Sequence, residues 1–301
     1  MRRFLGNIAL FLSCLLIVSI VADFFYSRAF RNSTGANNVI WKDVMEGDAS
    51  ADLLICGDSR ANTDCYPPVI DSITGIKSYS IGVIGHHFNI QRLRYDMYRR
   101  YNSKPTVIAQ FVDNKSFKMA GKYDRIQFLP WMWNGAFLNE AFKLEPLFFV
   151  PKAIPWFRYR GTHLSDLRWE PFRPIRGFYT YEPDYYHGFA EEELTFIPNS
   201  RNEGRFREYL SELSREGLKV VLVLAPICGS RSFKGDSILK TRSCFKSIAQ
   251  EYGIPVLDYL QRPAYEDSTL FIDSMHLNER GARMFSDSLA NDILSLGLIK
   301  D

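Results

Sequence analysis

Ala51-Asp52-Leu53-Leu54-Ile55-Cys56-Gly57-Asp58-Ser59-Arg60 is the stretch that decides the fold. A short apolar run that stops at a glycine reads as a strand buried on both faces. Such strands belong in parallel sheets with helices on either side. Outward from it the pattern repeats. Residues 77–81, 106–112, 219–224 and 254–258 read as further strands, and 87–101, 203–216, 237–252 and 278–296 as helices. Near-continuous apolar strands alternating with amphipathic helices predict an α/β domain with a parallel sheet.

The chain of 301 residues carries a net charge of +3, with 46% hydrophobic and 24% charged residues. That balance excludes a disordered chain and leaves no field to drive nucleic-acid binding. The aromatic fraction is 15%, and four of the five tryptophans (Trp131, Trp133, Trp156 and Trp169) fall where the strand–helix rhythm breaks. A break this long exceeds an ordinary loop. We read residues of about 115–200 as an aromatic-rich insertion in the α/β domain. It is either a lid with Trp131 and Trp133 available to substrate, or a small core of its own.

At the N-terminus, residues 4–25 form an apolar run uncharged until Asp23 and preceded by Arg2 and Arg3. About 20 apolar residues suffice for a membrane-spanning helix, and the basic start predicts an extracytoplasmic remainder. A cleaved signal peptide is the rival, but this run is longer than an ordinary h-region and Ile20 is bulky for a cleavage site after Ala22. The expected organisation is a cytoplasmic tip and anchor over 1–27, a polar irregular stalk over 28–50, and the domain over 51–301. Of the five cysteines, Cys14 reads as a membrane-facing residue and Cys56 as a buried strand residue, while Cys228 and Cys244 are close enough in sequence to pair. No cysteine or histidine has metal-ligand spacing, so neither a metal nor a cofactor is expected.

Gly57-Asp58-Ser59 follows the first strand directly, where a tight turn would expose the serine hydroxyl beside the N–H groups of a starting helix. A second copy, residues 235–237, precedes a helix without a strand before it and reads as a helix start. Near the other end, Asp273 lies three residues before His276. A serine nucleophile needs a base, and a histidine base needs a group to orient it.

These two blocks resemble the SGNH, or GDSL-type, hydrolase superfamily. The resemblance implies a flavodoxin-like three-layer α/β/α fold, with Ser59 as nucleophile, His276 as general base and Asp273 as its orienting acid. It implies an oxyanion hole of the Ser59 N–H, a second-block glycine, and a third-block asparagine. Gly85 is the first choice for the glycine and Gly82 the alternative. The third block departs from the family pattern. Asp113 stands where asparagine is usual, and Asn114 is the better donor. Arg60 also departs, standing where an apolar residue is usual. His86 and His87 adjoin the oxyanion loop, His86 being a candidate for substrate contact. His163 and His187 carry less weight, and Arg92, Arg94, Arg99 and Arg100 read as a solvated helix face.

A membrane-anchored member resembles those SGNH proteins that add or remove acetyl groups on cell-surface polysaccharide. The partners this implies are an acylated or acyl-accepting glycan, the membrane itself and, for transfer, a membrane partner supplying acyl groups. A lipase or thioesterase, and a non-catalytic glycan-binding or assembly protein on the same scaffold, are the alternatives.

Overall fold

The computed structural model describes residues 1–85, 87–118, 127–162, 167, 174–180, 196–228 and 236–299. The chain separates into two compact units, Met1–Lys42 with Asp124–Arg173, and Asp43–Tyr123 with Pro174–Asp301.

The helices, in chain order, are α1 Arg2–Arg31, α2 Ala36–Glu46, α3 Ser59–Thr63, α4 Pro67–Thr74, α5 Phe88–Tyr101, α6 Gly135–Leu144, α7 Pro146–Phe149, α8 Ser200–Arg215, α9 Ser237–Tyr252 and α10 Glu279–Ser295. The strands are β1 Leu53–Cys56, β2 Ser78–Ser80, β3 Val107–Phe111, β4 Lys219–Leu224 and β5 Val256–Asp258.

The second unit holds the sheet. Its strand order is β2-β1-β3-β4-β5, and every pairing is parallel, with Leu53 opposite both Ser78 and Val107, Val107 opposite Lys219, and Leu222 opposite Val256. This is the flavodoxin-like order, whose switch point opens a crevice at the carboxyl ends of β1 and β3. Leu53, Ile55, Val107, Ala109, Phe111, Val221 and Val223 share one core with Ala282, Phe285, Leu289 and Ile293 of α10. Successive strand residues point to opposite faces, and Cys56 accordingly reaches Tyr209 of α8 on the other side. The helices sort the same way, α4 packing on α10 and α5 and α9 on α8. Both faces are covered, which is why the strands read as unbroken apolar runs.

The first unit joins α1 to the insertion. Residues 4–22 of α1 are predominantly apolar and almost wholly exposed, whereas Asp23, Ser27 and Phe30 are buried. Those three lie on one helical face. Ser27 Oγ meets Tyr159 Oη at 2.7 Å, and Phe30 stacks on Tyr159. Trp41 packs edge-on against Phe128 and Phe137, and its indole N–H donates to Gln127 Oε1 at 2.9 Å.

Three expectations need correction. The irregular stalk over 28–50 is instead helical for much of its length, since α1 runs on to Arg31 and α2 follows. Its polar residues misled because they serve packing: the Arg31 guanidinium donates to the carbonyl of Pro130. The insertion is divided, 124–173 clustering with the N-terminal helices and the residues from Pro174 onward with the sheet. No disulfide joins any of the five cysteines, Cys228 and Cys244 included.

Candidate active site

The turn after β1 is built around Gly57. Its φ is +152°, and a Cβ there would lie 2.5 Å from Phe111 Cβ at the end of β3. Only glycine lets the turn pack so closely. Asp58 then caps α3, its carboxylate accepting the Arg60 N–H at 3.0 Å. Ser59 becomes the first residue of α3, half-buried at the carboxyl end of the sheet.

The loop before α10 comes to the same point. Ser59 Oγ lies 2.8 Å from His276 Nε2. On the far side of the ring, His276 Nδ1 lies 2.8 Å from Asp273 Oδ2. Asp273 Oδ1 accepts the backbone N–H groups of Met275 and His276, each at 2.7 Å, which fixes the carboxylate. Asn278 closes the loop by capping α10, its side chain accepting the Gly281 N–H. The three residues singled out from the two ends of the sequence are therefore joined in one chain of hydrogen bonds.

Burial disfavours a charged His276, yet the bonded Asp273 carboxylate, with Asp64 and Asp58 beyond, outweighs it and raises the imidazole above its ordinary range. Asp273 is held below the usual carboxylate range. Burial opposes this, and the bond to His276 and the two backbone N–H groups overcome it.

Two neighbours had no motif to announce them. Asp64, at the end of α3, is fully buried. Its Oδ1 accepts the Leu277 N–H at 3.1 Å and the Thr63 hydroxyl at 2.8 Å, tying the helix of Ser59 to the loop of His276. Burial pushes its carboxyl up to about 7. Asn62 donates to the Gly177 carbonyl at 2.9 Å, while its own carbonyl accepts the Tyr179 N–H at 3.0 Å. This stitches residues 174–180 to α3.

The oxyanion candidates separate. After β2 the chain runs on beside the turn that carries Ser59, with the Val83 N–H donating to the Gly57 carbonyl at 2.8 Å. Gly82 is packed in. A Cβ there would lie 2.6 Å from both the Asp58 carbonyl and Asn62 Oδ1, and the Gly82 carbonyl accepts from the Arg94 guanidinium. Gly85 sits in a turn at φ +75° with open space where a Cβ would be. Asn114 is buried at the end of β3, its carbonyl accepting the Ile197 N–H.

Asp113 is occupied otherwise. It accepts the Ser116 hydroxyl and the Lys115 N–H and lies 3.3 Å from Arg60 Nη2. Burial and the adjacent Asp58 carboxylate push Asp113 up to about 6.

Arg94 overturns part of one expectation, being a fully buried residue and no part of a solvated face. Arg92 pairs with Asp96 and Glu212. In the second Gly-Asp-Ser copy, Asp236 occupies the N-cap position of α9 but makes no side-chain cap and pairs with Lys240. His87 is buried and pushed down to about 4, chiefly by that burial. Trp131 and Trp133 belong to the first unit, Trp131 beneath the Arg31 guanidinium and Trp133 donating to Asp23. His86, His163, Trp169 and His187 lie outside the described residues.

No family model and no curated protein matches the chain. Solved structures are similar to it. A protein assigned to the lipolytic G-D-S-L family of Desulfitobacterium hafniense is 12% identical, with 79% of this chain and 97% of that one covered and a TM-score of 0.44. A family two carbohydrate esterase from Clostridium thermocellum, solved with cellohexaose, is 10% identical, with 82% and 64% covered and a TM-score of 0.41. A protein of Bacteroides fragilis assigned as an acylhydrolase is 15% identical, with 82% and 87% covered and a TM-score of 0.37. The parallel β2-β1-β3-β4-β5 sheet, with Ser59 directly after its first strand and Asp273 and His276 just before its last helix, gives this chain the fold of the SGNH, or GDSL-type, hydrolases.

Proposed function

We propose that the protein is a serine-dependent enzyme acting on acyl esters, with Ser59, His276 and Asp273 as its catalytic triad. The observation that carries this reading is the unbroken relay of 2.8 Å contacts from Ser59 Oγ through the imidazole to Asp273. Ser59 attacks the acyl carbonyl while His276 Nε2 takes the hydroxyl proton. Asp273 holds the ring and stabilises the imidazolium. The N–H groups of Ser59 and Gly85, with Asn114, receive the developing oxyanion. His276 returns the proton to the leaving alcohol, which departs as the acyl-enzyme forms. Water, or a sugar hydroxyl, then gives its proton to His276 and attacks the acyl-enzyme. The acyl group leaves as the free acid or the new sugar ester, and His276 returns the proton to Ser59 Oγ.

The substrate we infer is an acetylated or acetyl-accepting polysaccharide outside the cytoplasm. Helix α1 supports a membrane location. Its apolar surface over residues 4–22 is exposed in the folded chain and calls for a bilayer to cover it. Arg2 and Arg3 at its start favour a retained anchor with the α/β unit on the far side. Transfer in place of hydrolysis calls for a membrane partner that supplies acyl groups.

A fluorophosphonate probe tests the reading directly. The full chain in detergent should label, and Ser59→Ala should not. Intact protein that stays unlabelled where a control serine hydrolase reacts would mean that Ser59 is not activated, and would favour a binding role. Labelling together with acetyl transfer to an oligosaccharide, and little release to water, would favour the transferase.

A further inference from the structure

Asp23 is the first charge after the apolar run of α1, and it is fully buried. Among the described residues, the groups that bond it from outside its own helix come from the insertion. Arg158 Nε lies 2.9 Å from Oδ1, and the Trp156 backbone N–H donates to the same oxygen at 2.7 Å. The Trp133 indole N–H donates to Oδ2 at 2.5 Å. Arg158 also lies over the Trp133 ring, and Tyr26 packs edge-on against Trp156. Removing water from a carboxylate is costly unless such partners replace it. The insertion is thus clamped to the helix at one level.

That level is set by the length of the run. Residues 4–22 at 1.5 Å each span about 28 Å, close to the roughly 30 Å hydrocarbon core of a bilayer. If these residues cross the membrane, Asp23 and everything bonded to it lie at the membrane surface. The two tryptophans that bond Asp23 are themselves 46% and 40% exposed, and Ile154 and Phe157 beside Trp156 are exposed as well. Large apolar side chains left in water at this height have an obvious cover. Indoles with one polar and one apolar edge concentrate at the lipid–water interface for that reason.

We propose that the aromatic insertion is a membrane collar: Trp133, Ile154, Trp156 and Phe157 rest in the headgroup layer of the bilayer that α1 crosses. This rests on the reading of α1 as a retained anchor. The occupant is lipid, because the patch is continuous with the apolar helix through Asp23. The collar fixes the insertion at the surface and keeps the buried Asp23–Arg158 pair out of the hydrocarbon.

Depth-dependent fluorescence quenching tests it. The full chain is reconstituted in phosphatidylcholine vesicles carrying bromines at a shallow or a deep acyl position. The expected result is strong quenching of tryptophan emission, greater with the shallow bromines, and loss of most of it in Trp133→Phe/Trp156→Phe. A second variant, Ile154→Ser/Phe157→Ser, keeps every tryptophan and every bond to Asp23, and should also weaken the quenching. Alkaline carbonate extraction runs alongside. Protein that stays in the membrane pellet but is not quenched overturns the collar, spares the anchor, and assigns the patch to a protein partner. Protein released by carbonate with Asp23 at its N-terminus overturns the anchor, and the collar with it.

Discussion

Arg60 Nη2 lies 3.3 Å from Asp113 Oδ2, and both side chains are buried. Each of these residues, taken alone, departs from the SGNH pattern. Together they are one feature. A carboxylate at the third-block position would repel an oxyanion, but this one faces a guanidinium that also lies 3.7 Å from the neighbouring Asp58 carboxylate. The cation joins the turn after β1 to the turn after β3, the two strand ends that bound the site. Asp113 is thereby engaged in an ion pair, and in the proposed mechanism the oxyanion falls to backbone N–H groups and Asn114.

The pairing predicts strong coupling in stability. Arg60→Leu strands two neighbouring carboxylates in the interior, and should cost about 3–5 kcal/mol. Asp113→Asn should cost less, because Arg60 keeps Asp58. The double variant should be more stable than the sum of the two losses predicts, by at least about 1 kcal/mol. Denaturant titration of the four proteins measures this. Simple additivity would mean that the ion pair does not join the two turns.

The raised imidazole of His276 makes a prediction for pH. In the proposed mechanism His276 must be neutral to take the Ser59 proton, so activity should rise as pH climbs through the His276 pKa. Since that value lies above 6.5, the acid limb should fall above 6.5 too. The same shift stabilises the fold, fully below the unfolded value of about 6.5, and this stabilisation is lost as pH rises through the folded value. Asp273→Asn removes the group that raises it, and should move the acid limb downward while slowing turnover by about 10³–10⁴-fold. The pH dependence of fluorophosphonate labelling measures the limb. An acid limb that Asp273→Asn leaves in place would deny Asp273 its role.

What the sequence revealed, and what it hid, follows from the range of the interactions. Leu53–Cys56 and Lys219–Leu224 were legible because a strand covered on both faces needs apolar residues throughout. Ser59, Asp273 and His276 were legible because each sits in a short motif. Arg94 was misread because one buried guanidinium on a charged helix looks like its solvated neighbours. Asp64 and Gly177 had no signal, since their partners Leu277 and Asn62 are 213 and 115 residues away. The stalk was misread for the same reason. Nothing near Arg31 in sequence announces the Pro130 carbonyl, which is 99 residues distant.

Asp64 should set a second pH dependence, this time in stability. Burial pushes its carboxyl up to about 7, against an unfolded value near 4. A raised carboxyl holds its proton more tightly when folded. Its stabilisation is full below about pH 4, and falls by up to about 1.4 kcal/mol per pH unit as pH rises towards 7. Asp64→Asn keeps the oxygen that accepts the Leu277 N–H and removes the titration. The variant should therefore gain on the wild type between pH 5 and pH 8. Denaturant titrations at both values measure the gain, and a difference independent of pH would refute the assignment.

Gly177 should be the least replaceable glycine beside the site. Its φ is +84°, and a Cβ there would fall 1.8 Å from the Ser80 carbonyl oxygen and 2.7 Å from its carbon. Those atoms belong to the backbone of edge strand β2, which cannot swing aside as a side chain would. The turn is pinned on both flanks, by the Ser80 N–H on the Arg176 carbonyl at 2.9 Å and by Asn62 on the Gly177 carbonyl. Gly75, the left-handed cap of α4, offers the comparison. Its φ is +73°, with nothing near its Cβ position. Gly75→Ala should cost only the conformational penalty of about 1 kcal/mol. Gly177→Ala adds the overlap to that penalty, and should lose at least about 2–3 kcal/mol. It should also slow fluorophosphonate labelling, because the strained turn is bonded to the helix that presents Ser59. Equal losses for the two variants would show that the chain at Ser80 yields, and that the contact does not position α3.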